Sequence, residues 1–119
     1  FAGYRRDMVS VYNGLDLVVD PAYEEAFGMV VIEPMACERL VLGTDAGGIP
    51  EIIEDGRNGF LFPPGDREGL STCIEKVLDL STAQRTRIGR EARRTVLDRF
   101  TIETQARAVE SVFEQYISR

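Results

Sequence analysis

Two glutamates eight positions apart, Glu25 and Glu33, bracket the run Ala26-Phe27-Gly28-Met29-Val30-Val31-Ile32. An ionised carboxylate accepts hydrogen bonds and donates none, so a pair of them suits a ligand rich in hydroxyls. The apolar stretch between them predicts a helix opening near Phe27. Its first amides, from Phe27 to Val30, then lack partners within the helix and carry the positive end of its dipole. Gly28 allows a ligand close to the main chain, and such a mouth suits a phosphate or a sugar hydroxyl. On this reading Glu33 lies about two turns into the helix, among apolar neighbours where an unpaired carboxylate is costly. The competing reading makes Glu25 an exposed loop acid and Glu33 a solvated helix residue.

The elements that must position these groups follow from periodicity. Leu17-Val18-Val19 reads as a buried strand ending at the turn Asp20-Pro21, and with the helix after it makes one βα unit, whose loop faces the carboxyl edge of a sheet. Met8, Val11, Tyr12 and Leu15 give a short amphipathic helix before it, with Asp7 at its start. Pro34 is awkward in a helix interior, so the regular helix either starts later than Phe27 or bends. Leu40 to Thr44 predicts a second strand and Phe60-Leu61-Phe62 a last one. Pro50-Glu51 opens a helix with Ile52-Ile53 as its apolar face, and Asp66 caps another that carries Leu70, Cys73, Ile74, Val77 and Leu78 on one side. A polar, Arg-rich helix keeps Ile88, Ala92 and Val96 for the core. A Thr101-capped terminal helix turns Ile102, Ala106, Val109, Val112, Phe113 and Tyr116 inward. Short strands alternating with helices define the fold class as α/β, a partial parallel sheet flanked by helices, with C-terminal helices.

With 119 residues the chain is at most one domain, and an opening at Phe1-Ala2-Gly3-Tyr4 reads as a strand end without its start, the mark of a fragment. The first strand would then expose an unpaired edge, through which an isolated chain would dimerise or swap. A formal charge of −6 with no basic face argues against nucleic acid as a partner. No apolar run approaches the ~20 residues of a transmembrane segment. Cys37 and Cys73 lack a CxxC pattern, and with no His in the chain neither a zinc site nor a Ser-His-Asp arrangement can be assembled. Small core cysteines of this kind fit a reducing, cytoplasmic compartment.

Other motifs are ambiguous by themselves. Asp45-Ala46-Gly47-Gly48-Ile49-Pro50-Glu51 reads either as a phosphate-cradling loop or as a tight βα turn. Asn58-Gly59 reads as a turn, and Arg5 and Arg6 as surface cations able to meet an anion.

Taken together, Gly3-Tyr4-Arg5, the run Asp16 to Pro21, the run Glu25 to Glu33, Met35-Ala36-Cys37, Thr44 to Glu51 and Asn58 to Asp66 resemble the C-terminal, donor-binding domain of GT-B glycosyltransferases of the group 1 kind, family 4, which are retaining. The resemblance covers nearly the whole chain. It implies that residues 1–119 are part of a GT-B nucleotide-sugar-binding domain whose partner, the N-terminal acceptor domain, is outside this chain. The full-length enzyme would transfer a sugar from a nucleotide-activated donor with retention of configuration, and the fragment would be inactive alone. Glu25 would contact donor-sugar hydroxyls and serve as the catalytic carboxylate, Glu33 would accept from the ribose hydroxyls, and Ala26, Phe27, Gly28, Met29 and Val30 would line the sugar and diphosphate. No metal or other cofactor is expected. The full-length protein would be cytoplasmic or peripheral at the membrane.

Where the family reads Cys-Gly-x-Pro-Val, this chain has Cys37-Glu38-Arg39-Leu40-Val41, so a non-Gly residue must take the turn that ends the helix, at roughly 1 kcal/mol. The basic pair that neutralises the donor diphosphate in the family lies upstream of these residues. Two other readings compete: a non-catalytic nucleotide-sugar-binding or interaction module, and a GT-B-fold epimerase of nucleotide sugars.

Overall fold

The computed structural model describes residues 1–24 and 28–117. Among them the order is α1 (Met8–Asn13), β1 (Leu17–Asp20), α2 (Met29–Ala36), β2 (Leu40–Thr44), α3 (Ile49–Ile52), β3 (Phe60–Phe62), α4 (Arg67–Leu78), α5 (Thr82–Arg99) and α6 (Ile102–Ile117). The strands pair in parallel in the order β1-β2-β3, with Leu17 opposite Leu40 and Leu42 opposite Phe60. The α/β parallel architecture expected from the alternating pattern is therefore present.

Each strand sends alternate residues to opposite faces, and two cores result. Val41, with Val18 and Leu61 beside it, packs against Val31 and Met35 of α2, Ile49 and Ile52 of α3, and Ala92 and Val96 of α5. On the other face Leu40, Leu42, Phe60 and Phe62 pack with Val77 of α4 and Ile88 of α5. All five residues of β2 are buried, as a central parallel strand covered on both faces requires. In β1, Leu17, Val18 and Val19 are only half-buried, contrary to the expected buried strand; among the described residues β1 is one edge of the sheet.

The turn that ends α2 is taken by a non-Gly residue, as the missing Gly requires. Glu38 adopts φ 58, the left-handed conformation, and the Glu38 and Arg39 amides donate to the carbonyls of Met35 and Pro34, each at 3.0 Å. These are the two bonds of a Schellman ending. Arg93 of α5 adds a 2.7 Å bond to the Ala36 carbonyl. Asp66 caps α4 through the Gly69 amide at 2.8 Å, as read from the sequence. Asp7, at the start of α1, makes no such cap: Arg5 holds its carboxylate, with Nε 2.8 Å from Oδ1, and the guanidinium draws the carboxyl below its ordinary range.

Two expectations about inward faces are corrected. Leu78 is exposed, one position past the buried Val77 and so about 100° round the helix from the face that meets β3. None of the α6 residues is buried, and Ile102, Val109, Val112, Phe113 and Tyr116 all face outward along a molecule 53 Å in its longest dimension. The apolar stripe has the spacing of a buried helix face, but the described residues provide no surface for it to cover.

Candidate functional site

The site begins at the carboxyl ends of β1 and β2. There the Thr44 hydroxyl donates to the Asp20 carbonyl at 3.1 Å, tying the two strand ends together. Asp20 Oδ1 accepts from the Ala22 amide at 3.2 Å, which makes Asp20-Pro21 the turn expected of it. Its Oδ2 is buried and has no hydrogen-bond partner among the described residues.

Beyond this turn lie Glu25, Ala26 and Phe27, three of the predicted donor-binding residues, which fall outside the described residues. The description resumes at Gly28, buried and left-handed at φ 65, as the N-cap of α2. A side chain here would conflict twice, through the backbone angle and through a Cβ placed 2.4 Å from Ile52 Cδ1. Gly28 thus seats the mouth of α2 against α3. Its carbonyl accepts from the Val31 and Ile32 amides at 2.9 and 2.8 Å, so the Met29 and Val30 amides are those of the first turn that the helix leaves unpaired.

The helix therefore starts at Met29, two residues later than predicted from Phe27. Glu33 is its fifth residue, about one turn in rather than two. Pro34 remains inside it, and α2 ends two residues later, at Ala36. Nor is α2 buried all round: Val31, Pro34 and Met35 are buried, whereas Met29, Val30 and Glu33 form one exposed face. The costly buried carboxylate anticipated at Glu33 does not occur, because the sheet and α5 cover only one side of so short a helix.

Glu33 accepts a hydrogen bond from the Tyr12 hydroxyl, Oε2 lying 3.0 Å away. Tyr12 is the buried residue of α1, and burial first, then the bond to Glu33, pushes its phenol up to about 12. The two line a hollow of about 670 Å³ with Tyr4, Arg5, Arg6 and Val9. Arg5 is committed to Asp7, whereas Arg6 is exposed beside it. Sequence reasoning missed Tyr12 as a partner of Glu33, since no local pattern joins residues 21 apart. It was detectable only as the aromatic member of the α1 face.

Asp45 to Gly48 forms a tight turn into α3, with Gly47 at φ 59. Asn58 does more than turn the chain: it is buried, its amide group donates to the Ile52 carbonyl and to Thr95 Oγ1, and its Oδ1 accepts from the Glu54 amide. A groove of about 370 Å³ between α3 and α5 is lined by charges, among which Arg57 pairs with Glu54 and Arg94 with Glu91. Among the described residues no cluster of three His, Cys, Asp or Glu side chains could hold a metal ion, and no helix is long and apolar enough to cross a membrane.

A parallel sheet with helices on both faces and a glycine-capped helix mouth at its carboxyl edge defines a Rossmann-like domain of the GT-B kind. The sequence profile of the Glycosyl transferases group 1 family matches residues 1–95, and the chain belongs to that family. A D-inositol 3-phosphate glycosyltransferase of Corynebacterium kroppenstedtii is 32% identical over 113 residues, which is 95% of this chain and 25% of that protein. The fold also matches Anabaena HepE, solved in complex with UDP, with a TM-score of 0.88 and 30% identity over 97% of this chain and 32% of HepE. A C-terminal domain of a group 1 family protein from Francisella tularensis, LpcC, matches with a TM-score of 0.74 and 29% identity, over 86% of this chain and 52% of that one. The chain thus spans about a quarter to a third of the longer relatives.

Proposed function

We propose that this chain is the donor-binding part of a retaining glycosyltransferase, one portion of a GT-B C-terminal domain that works with an acceptor domain elsewhere in the complete polypeptide. The observation that carries the reading is Glu33, held by Tyr12 on the exposed face of α2, one turn beyond a left-handed glycine. A nucleotide sugar lies over that mouth. Its diphosphate and sugar face the first-turn amides of Met29 and Val30 and the positive end of the helix. Glu33 accepts from the ribose hydroxyls, and Glu25, three positions before Gly28 in the sequence, takes the donor-sugar hydroxyls and serves as the catalytic carboxylate. HepE, similar over nearly the whole chain, has been solved with UDP and with UDP-glucose, which supports a nucleoside-diphosphate sugar as the ligand class. The amides and upstream cations replace a divalent metal at the diphosphate. The two free cysteines suit a reducing cytosol, where such donors are used.

The test uses the complete enzyme with a panel of nucleotide sugars, following donor hydrolysis, transfer and the anomeric configuration of the product. Glu25→Ala and Glu33→Ala are each expected to lose donor affinity or turnover by at least about tenfold. Parental affinity and turnover in both variants would remove the assignment. A folded parent that binds donors without hydrolysis or transfer would favour a binding module.

A further inference from the structure

We infer that Tyr12 is a positioning residue for Glu33, fixing one carboxylate oxygen so that the other is presented to the ribose diol of a nucleoside diphosphate. The inference rests on the ribose-binding role proposed above and extends it to a residue on another element.

Glu33 is exposed on α2, and a free Glu side chain there would sample several rotamers. A ligand that needs one of them must order the chain at the moment of binding. Tyr12 is built to remove that loss. It is 8% exposed, while Val9 on the same short helix is 65% exposed, so Tyr12 is what anchors α1 to the body. Its ring has two rotatable bonds and its hydroxyl ends in the hollow, 3.0 Å from Glu33 Oε2. Oε1 is left to accept from a ligand. Among the described residues the phenol is the hydrogen-bond partner recorded for this carboxylate, and the nearby Arg5 is turned to Asp7. A tyrosine serving only the core would bury its ring and leave the hydroxyl in water. Here the hydroxyl bonds the one acid on the exposed face of α2.

The experiment is a binding titration of the complete polypeptide with UDP, GDP and ADP, then with the 2′,3′-dideoxy form of whichever binds most tightly. Tyr12→Phe keeps the ring and deletes the donor. It is expected to weaken the ribonucleoside diphosphate about tenfold. The same change should move dideoxy binding, or ribonucleotide binding in a Glu33→Ala background, by less than about twofold. Equal losses for both ligands, or a loss that persists without Glu33, would mean that Tyr12 acts only through packing, and the inference falls. Parental affinity in Tyr12→Phe also overturns it while leaving the ribose assignment standing. If Tyr12→Phe does not fold, Tyr12→3-fluorotyrosine, a stronger donor of nearly the same shape, must change the ribose-to-dideoxy ratio, and an unchanged ratio overturns the inference. A folded parent that binds none of the three nucleotides removes the functional reading and this inference together.

Discussion

Gly89 of α5 lies directly against the carbonyl of Glu38, so closely that a Cβ at position 89 would stand 2.4 Å from that oxygen. The contact joins the left-handed turn after α2 to the helix behind it, and so sets the depth at which α2 sits on the sheet.

The two sides of this contact respond differently to substitution. Glu38→Gly relieves a side chain from φ 58 but loosens the unfolded chain, for a net gain of at most about 0.5 kcal/mol and roughly two degrees in Tm. Gly89→Ala should lower stability by about 2 kcal/mol or more, because a backbone carbonyl cannot yield as a flexible side chain can. Thermal melts of the two variants check this, and a stabilised Gly89→Ala would contradict the packing described.

Asn58 is a second fixed point. Replacing it with Ala takes both donors and one acceptor from the junction of α3 and α5 and strands the Ile52 carbonyl in the core. The expected cost is about 2–3 kcal/mol, read as a lower denaturant midpoint with an unchanged slope. A loss below ~0.5 kcal/mol would show that water replaces the side chain.

How much of this was legible in the sequence depends on the range of the forces involved. The bounds of β2 and the Asp66 cap are set by neighbours within a few positions and are legible there, whereas the left-handed turn at Glu38 is legible only through the departure from the family pattern. Asn58 and Tyr12 were read as a turn residue and a face residue, because their partners Thr95 and Glu33 lie 37 and 21 positions away. The later start of α2, at Met29, is one of the two outcomes that Pro34 implies, and apolar spacing alone does not choose it because it does not reveal that Gly28 is left-handed. The α6 stripe was read correctly as apolar and wrongly as inward, since periodicity reports a face and not what covers it.

Alkaline pH offers a test of Tyr12 that needs no ligand. Its phenol is held neutral up to about 12, by burial first and then by the bond to Glu33 and that residue's charge, against 10.0 for the unfolded chain. A pKa raised by folding gives stability that is fully present below the unfolded value and lost as pH rises through the folded one. Between about pH 10 and 12 the parent should therefore lose about 1–3 kcal/mol that Tyr12→Phe has no means to lose. Parallel melting curves for the two proteins over that window would exclude the coupling.

The terminal helix makes the last prediction, which turns on the difference between having an apolar face and burying it. Ile102 is 84% exposed and Phe113 61%, so α6 contributes little burial to the body of the domain. Its start is secured locally, by Thr101 accepting from the Thr104 amide at 3.1 Å. Ending the chain after Thr101 should thus shift the Tm of the rest by no more than about 2 °C. At the same time it removes Val109, Val112 and Phe113, an apolar strip that water covers in the isolated chain and that would drive association at high concentration. The truncated chain should self-associate less than the parent at the same concentration, any residual association being that of the open β1 edge. A large drop in Tm would instead show that α6 folds back onto the domain, with its stripe turned inward as the sequence pattern suggests.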